Sequence, residues 1–398
     1  MYHSRGFSFI EVILVLAISS VLILIFIQNI TFSRKFLETN PQILFSKSDN
    51  HLIRRSLYST TDYIFTDLSY GIGKRDCSID NLENFNNIII PPYENLNHGE
   101  VVAMSLLGST LLAGMDSATS SEPDLVVIDT LNWKVLSSLN TGPGLAGMVL
   151  QGHYLFLANT SVNAQFQAVD IKNPNSPFLV GSFKIPGSTS SNSKRNPVVT
   201  SISSNGDGRI FLGTQKSDLG EIFIADFNGS SFTYNNSYDT GSIVNDVFAS
   251  KSGVWVTSPS DDELLHYNAS GTRDYLFNAN GQSGNGKRID MLGASFIMLG
   301  RTFGHEELVQ IDGPSQKIGG TINDLLINVG TEGEVIILVL ANVGGVSLFQ
   351  EWGTSNAKLD KLIKSVVLPV PSNRIACGEN TIFFGTSSST LPFLVLKP

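Results

Sequence analysis

DLVVIDTLNWKVLSSLNTG (residues 124–142), FQAVDIKNPNSPFLVGSFKIPG (166–187) and EIFIADFNGSSFTYNNSYDTG (221–241) are three versions of one pattern. Each opens on a β-branched and aromatic run that reaches an Asp, passes through a polar turn, and returns as a second strand that stops near Gly. Those residue types favour strands and turns respectively. Working outward, a hydrophobic strand precedes each copy, as TLLAGM (110–115), YLFLANT (154–160) and RIFLGTQ (209–215). The same strand recurs as GVWVTSP (253–259), SFIMLGR (295–301), EVIILVLA (334–341) and TIFFGTS (381–387). A repeat of roughly 45 residues carrying four short strands is the signature of a β-propeller blade, which buries its faces only on its neighbours. Seven such strands predict seven blades, beginning near Gly99, Gly144, Pro197, Ser242, Lys287, Ile322 and Asn373.

The last unit is incomplete, because RIACG, TIFFGTS and FLVLK supply three strands before Pro398. NNIIIPP (86–92) stands alone ahead of the first unit and resembles the fourth-strand ending FKIPG. We therefore expect it to complete the last blade and close the ring, since an open array leaves unpaired strand edges. The unit at 287–321 is short, so six or eight blades are neighbouring readings, and a β-helix is the alternative architecture. The expected fold is mainly β, with the propeller spanning 81–398.

The N-terminus follows a different rule. Residues 7–27, FSFIEVILVLAISSVLILIFI, form an apolar run with one charge, Glu11, behind only six residues, MYHSRG. A run of about 20 residues is long enough to cross a bilayer as a helix. An uncleaved anchor and a secretory signal peptide are the alternatives, but both leave Glu11 unexplained, because a carboxylate in a membrane helix is costly, and the run is long for a signal peptide and has no A-x-A site after it. Gly6-Phe7-Ser8-Phe9-Ile10-Glu11 and the aliphatic run after it resemble the class III signal of type IV pilins and type II secretion pseudopilins.

The resemblance covers roughly residues 1–60. It implies a leader at 1–6, with Gly6 before the prepilin peptidase cut and Phe7 as the N-methylated first residue of the mature chain. It also implies that Glu11 is the acidic fifth residue, paired during assembly with a neighbouring subunit's N-terminal ammonium; a buried carboxylate is tolerable when it is paired. Residues 7–80 would then be a pilin-like transmembrane and amphipathic helix. Ile43, Leu44, Leu52, Ile53, Leu57, Ile64, Phe65 and Leu68 broadly hold one apolar face, with an interruption at Pro41; a juxtamembrane stalk is the plainer reading.

Composition narrows the chemistry. The 398 residues carry a formal net charge of −9, and residues 81–398 hold 18 basic against 28 acidic side chains, so a phosphate backbone is repelled and nucleic acid is not an expected partner. Two cysteines, Cys77 and Cys377, allow one bridge in an oxidising compartment and no zinc framework. His98, His153, His266 and His305 fall in different units without ligand spacing, and no G-x-S-x-G elbow occurs. Trp133, Trp255 and Trp352 are too few for a quinoprotein docking pattern.

Asn205-Gly206-Asp207-Gly208 reads as a hairpin turn and Asp261-Asp262-Glu263 as a solvated loop, with calcium binding the alternative for both. No cofactor and no catalytic residue is predicted. The expected protein is a minor pilin-like subunit, made in the bacterial inner membrane and displayed in a pilus or pseudopilus. Its propeller would serve adhesion or ligand recognition, and its expected partners are prepilin peptidase, other pilin-type subunits and a surface ligand. A secretion pseudopilin contacting exported substrates and a membrane-tethered propeller enzyme are the competing functions.

Overall fold

The computed structural model describes residues 87–91, 99–116, 122–260, 262–278, 286–293, 296–304, 306–329, 335–355, 358–378, 380–388 and 390–397. All of them belong to one compact unit, Asp67–Pro398. Residues 7–27 lie outside the described residues, and among the described residues no helix is long and apolar enough to cross a membrane.

Seven four-stranded antiparallel sheets follow one another along the chain. Blade 1 comprises β2 (Glu100–Leu107), β3 (Thr110–Asp116), β4 (Leu125–Asp129) and β5 (Lys134–Leu139). Blade 2 comprises β6 (Leu145–Gln151), β7 (Tyr154–Asn159), β8 (Phe166–Asp170) and β9 (Phe178–Phe183). Blade 3 runs through β10 (Val199–Ser204), β11 (Arg209–Thr214), β12 (Ile222–Phe227) and β13 (Phe232–Tyr238). Blade 4 is built from β14 (Asp246–Ser250), β15 (Gly253–Thr257), β16 (Leu264–Asn268) and β17 (Arg273–Phe277). Blade 5 is the smallest, with β18 (Gly286–Leu292), β19 (Phe296–Arg301), β20 (Leu308–Gln310) and β21 (Ser315–Gln316). Blade 6 is the largest, with β22 (Thr321–Val329), β23 (Val335–Val343), β24 (Val346–Ser355) and β25 (Lys358–Val367). Blade 7 takes β26 (Ser372–Gly378), β27 (Thr381–Thr386) and β28 (Phe393–Lys397), and β1 (Asn87–Ile89) completes it.

The predicted closure is therefore present: β1 pairs antiparallel with β28, placing Ile88 opposite Leu396. Each blade's second strand matches one of the seven hydrophobic runs read from the sequence. These strands are buried almost throughout because they lie mid-sheet with a neighbouring blade against each face; a strand covered on both faces reads as a continuous apolar run rather than an alternating one. Fourth strands such as β13 and β17 form the outer rim and are largely exposed.

The core is a ring of interblade clusters. Val101, Leu111 and Met115 of blade 1 pack on Ala376, Phe383 and Val395 of blade 7, so the closing interface is built like the others. Glycine in the second strand allows neighbouring strands to pack closely. A Cβ on Gly213 would lie 2.5 Å from both Ser201 Oγ and Val244 Cγ1, and one on Gly385 would lie 2.5 Å from Val101 Cγ1.

A buried acid or amide just before the third strand recurs in five blades, as Asp124, Gln165, Glu221, Glu263 and Glu307. Four of them hold the connection that leads toward the next blade. Asp124 accepts from Thr141 N at 2.8 Å, Gln165 from Ile185 N at 3.0 Å, Glu221 from Thr240 N at 2.8 Å and Glu307 from Ile318 N at 2.8 Å. Burial pushes the Glu307 carboxyl up, but backbone donors from Gly304, Gly319 and Ile318 outweigh it and leave the group below the usual carboxylate range. These connections ring the face of the propeller on which every innermost strand begins.

Candidate functional site

The innermost strands share a local irregularity close to their first residues. In six blades the register with the second strand slips by one residue, leaving Val102, Ala146, Thr200, Lys287, Asn323 and Asn373 unpaired in the ladder. Such a bulge turns a side chain away from the regular pleat. Here the bulges sit around one mouth of the central channel, and four of them, with their neighbours, enclose a cavity of about 200 Å³. Its lining is Glu100 and Val102 of β2, Lys287 and Arg288 of β18, Asn323 of β22, and Asn373 and Arg374 of β26.

Hydrogen bonds run around this mouth from blade to blade. Asn245 Nδ2 donates to Gly286 O at 2.7 Å, Lys287 Nζ to Asn323 Oδ1 at 3.2 Å and Asn323 Nδ2 to Ser372 O at 3.1 Å. Arg288 Nε donates to Asn323 O at 2.7 Å. Across the closing interface, Arg374 Nε donates to Val102 O and Asn373 Nδ2 to Glu100 Oε1. Carboxylates on the same inner strands stitch adjacent blades. Asp246 accepts from Ile289 N at 3.2 Å, Asp290 from Ile327 N at 2.5 Å and Asp324 from Ile375 N at 2.7 Å.

The electrostatics of the mouth are those of cations partly withdrawn from water. Burial, together with Arg288 and Arg374, brings the Lys287 ammonium down to about 8. Burial and the neighbouring Arg288 bring Arg374 down to about 10. Burial raises Asp246, which keeps only a little surface open, to about 6 against the attraction of Arg288. Glu100 is raised by burial and by Asp116.

The residues singled out in the sequence are placed as follows. Gly6, Phe7, Glu11, Cys77, His98 and His305 lie outside the described residues. Cys377 is buried in β26 and is disulfide-bonded. His153 sits 3.8 Å from Asp170 on the surface, and His266 Nδ1 lies 2.5 Å from Asp274 Oδ1 beneath Trp255. Asn205-Gly206-Asp207-Gly208 is the β10–β11 hairpin turn, with Asn205 Oδ1 accepting from Asp207 N at 3.0 Å.

Glu263 corrects the reading of a solvated loop. It is fully buried and lies 2.7 Å from Arg301 Nη2, because the position just before the third strand is interior in this blade, as it is in blades 1, 2, 3 and 5. The channel cluster was missed altogether. Its signal lay in the unit starts, where GKRID (286–290), TIND (321–324) and SNRI (372–375) carry paired polar residues and the first two units do not.

Residues 1–27 match the prokaryotic N-terminal methylation motif, the type IV prepilin motif, which implies processing by prepilin peptidase and pilin-type assembly. No curated protein sequence matches the chain. Among solved structures, U3-55K is similar at a TM-score of 0.56 and 10% identity, covering 78% of this chain and 98% of that one. The β-propeller domain of Myceliophteria thermophila Cps50 (Swd1) is similar at 0.56 and 11%, covering 79% and 98%. A chain of the mitotic checkpoint complex is similar at 0.57 and 8%, covering 80% and 96%. At these identities the likeness is one of fold, so the chain joins a type IV prepilin N-terminal motif to a seven-bladed β-propeller.

Proposed function

We propose that this protein is a minor pilin-like subunit. Prepilin peptidase cleaves it after Gly6, Phe7 becomes the N-methylated first residue, and Glu11 pairs with the N-terminal ammonium of a neighbouring subunit. The observation that carries this reading is the methylation motif at residues 1–27 in the same chain as the propeller. A propeller head of some 310 residues is hard to repeat at every turn of a filament, which favours a tip or low-copy position. The head then serves recognition at the cell surface, either adhesion or the capture of a ligand or protein. Support for binding comes from the channel lining, which is made of cations, amides, one carboxylate and Val102.

The deciding measurement is the mass of the mature N-terminal peptide from a host with prepilin peptidase, beside Gly6→Ala and Glu11→Ala. A peptide starting at methylated Phe7, absent in Gly6→Ala, is the expected result. Glu11→Ala should be cleaved yet fail to enter sheared surface filaments. An intact Met1 in the wild-type chain would remove the pilin reading.

A further inference from the structure

The channel mouth brings together three cations from blades 5 and 7 with no internal counterion in contact. Lys287, Arg288 and Arg374 make no ion pair within 4 Å with any carboxylate among the described residues. The carboxylates nearest in charge, Asp246 and Asp324, are turned to the backbone N–H groups of Ile289 and Ile375, and neither lines the cavity. Glu100 does line it, but its Oε1 accepts from Asn373.

The donors are likewise only partly used. Arg288 donates from Nε alone, Lys287 makes one bond through Nζ, and Arg374 uses Nε and Nη1, the latter at 2.9 Å to Asn373 O and 3.4 Å to Asn323 O. This leaves both terminal nitrogens of Arg288 and Nη2 of Arg374 without a hydrogen bond to the described protein. All three side chains are only half-buried, but converging like charges that lose part of their water are costly without a counterion, which makes such a cluster unusual unless an anion completes it.

We infer that the mouth of the central channel is a binding site for a small multivalent oxyanion, phosphate or a dicarboxylate, held by Lys287, Arg288 and Arg374 with amide donors from Asn323 and Asn373. Guanidinium forks match the paired oxygens of carboxylate and phosphate, and the lysine adds a point charge. A cavity of about 200 Å³, open to solvent, accommodates an ion of that size together with water. Glu100, the exposed residue at the rim, acts against the anion and sets a selection threshold. The site opposes the negative charge of the head as a whole, so its selectivity comes from contact geometry rather than long-range steering.

The pocket does not depend on the pilin reading; it uses only residues of the propeller. Sequence alone hides it because each contributing blade supplies one or two residues, and two of them, Glu100 and Asn373, lie 273 residues apart.

The test uses the full-length protein in detergent micelles and titrates inorganic phosphate and succinate by calorimetry, with potassium chloride at matched ionic strength as the control. Saturable binding of either anion in the wild type is expected. Lys287→Gln should weaken it about 10-fold or more, the loss of one charge-assisted contact. Glu100→Gln, at an exposed position that does not threaten folding, should tighten it several-fold. Phosphate-only or succinate-only binding would identify which anion the site takes. Affinity should also fall as pH rises through about 8, where Lys287, facing Arg288, Arg374, Asp324 and Glu100, loses its proton. Heat indistinguishable from the chloride control, or unchanged affinity in both variants, would overturn the assignment.

Discussion

Blades 1–3 and blades 5–7 build the same inner strand with the same one-residue bulge, yet they furnish it differently. One half presents Val102, Ala146 and Thr200 to the channel, the other Lys287, Asn323 and Asn373. Six of the seven blades share the bulge and differ in the side chain it carries, so the backbone irregularity is a feature of the repeat and the polar half is the specialised one. The stitches between inner strands follow the same division. The plain half uses a hydroxyl, with Ser203 Oγ accepting from Ala249 N at 2.9 Å, whereas blades 4–6 use the carboxylates Asp246, Asp290 and Asp324.

This comparison can be broken at graded cost. The largest effect should come from Glu263→Ala on the polar side, which leaves Arg301, only 4% exposed, without its carboxylate; chemical denaturation should show a loss of about 3–5 kcal/mol. Next comes the pH dependence of Asp246. Its folded-state value of about 6 lies above the ordinary 3.8, so its contribution is complete below about 4 and disappears as pH rises through 6, on the order of 3 kcal/mol in all. Arg288 and Arg374 draw it down and Asp324 pushes it up, but burial dominates. Comparing wild type with Asp246→Asn between pH 4 and 7 should show the wild type losing stability relative to the variant; parallel curves would contradict the burial argument.

Asp324→Ala should cost about 2–3 kcal/mol, because the N–H of Ile375 loses a charged acceptor at 2.7 Å. The smallest effect belongs to the plain half. Ser203→Ala removes a neutral acceptor and should cost about 1 kcal/mol by the same assay. Equal losses for Ser203→Ala and Asp324→Ala would mean that charge adds nothing to the stitching.

The central strands were readable in advance because burial on both faces writes an uninterrupted apolar run, as in TIFFGTS and RIFLGTQ. Closure was readable as well, since three strands at the end and one stray strand before the first unit leave few alternatives. Outer strands such as β21, two residues long, left almost no signal because solvent imposes no pattern on them. Glu263 was misread for the opposite reason. A charged residue beside two others looks solvated until the fold places Arg301, 38 residues later, against it.

Local order of residues is enough to dictate the blade unit and the prepilin motif at 1–27, because each depends on patterns within a few tens of residues, and repetition of that unit, with a lone strand at one end and a short unit at the other, pointed to seven blades and a closed ring. The channel cluster is a property of the closed ring alone. Lys287, Asn323, Arg374 and Glu100 are ordinary polar residues at strand starts until seven blades close and bring those starts around one axis. Only then do three charges share one partly desolvated mouth, and only then do the proton affinities of Lys287 and Arg374 fall, because both effects depend on distance through space and on excluded water rather than on separation along the chain.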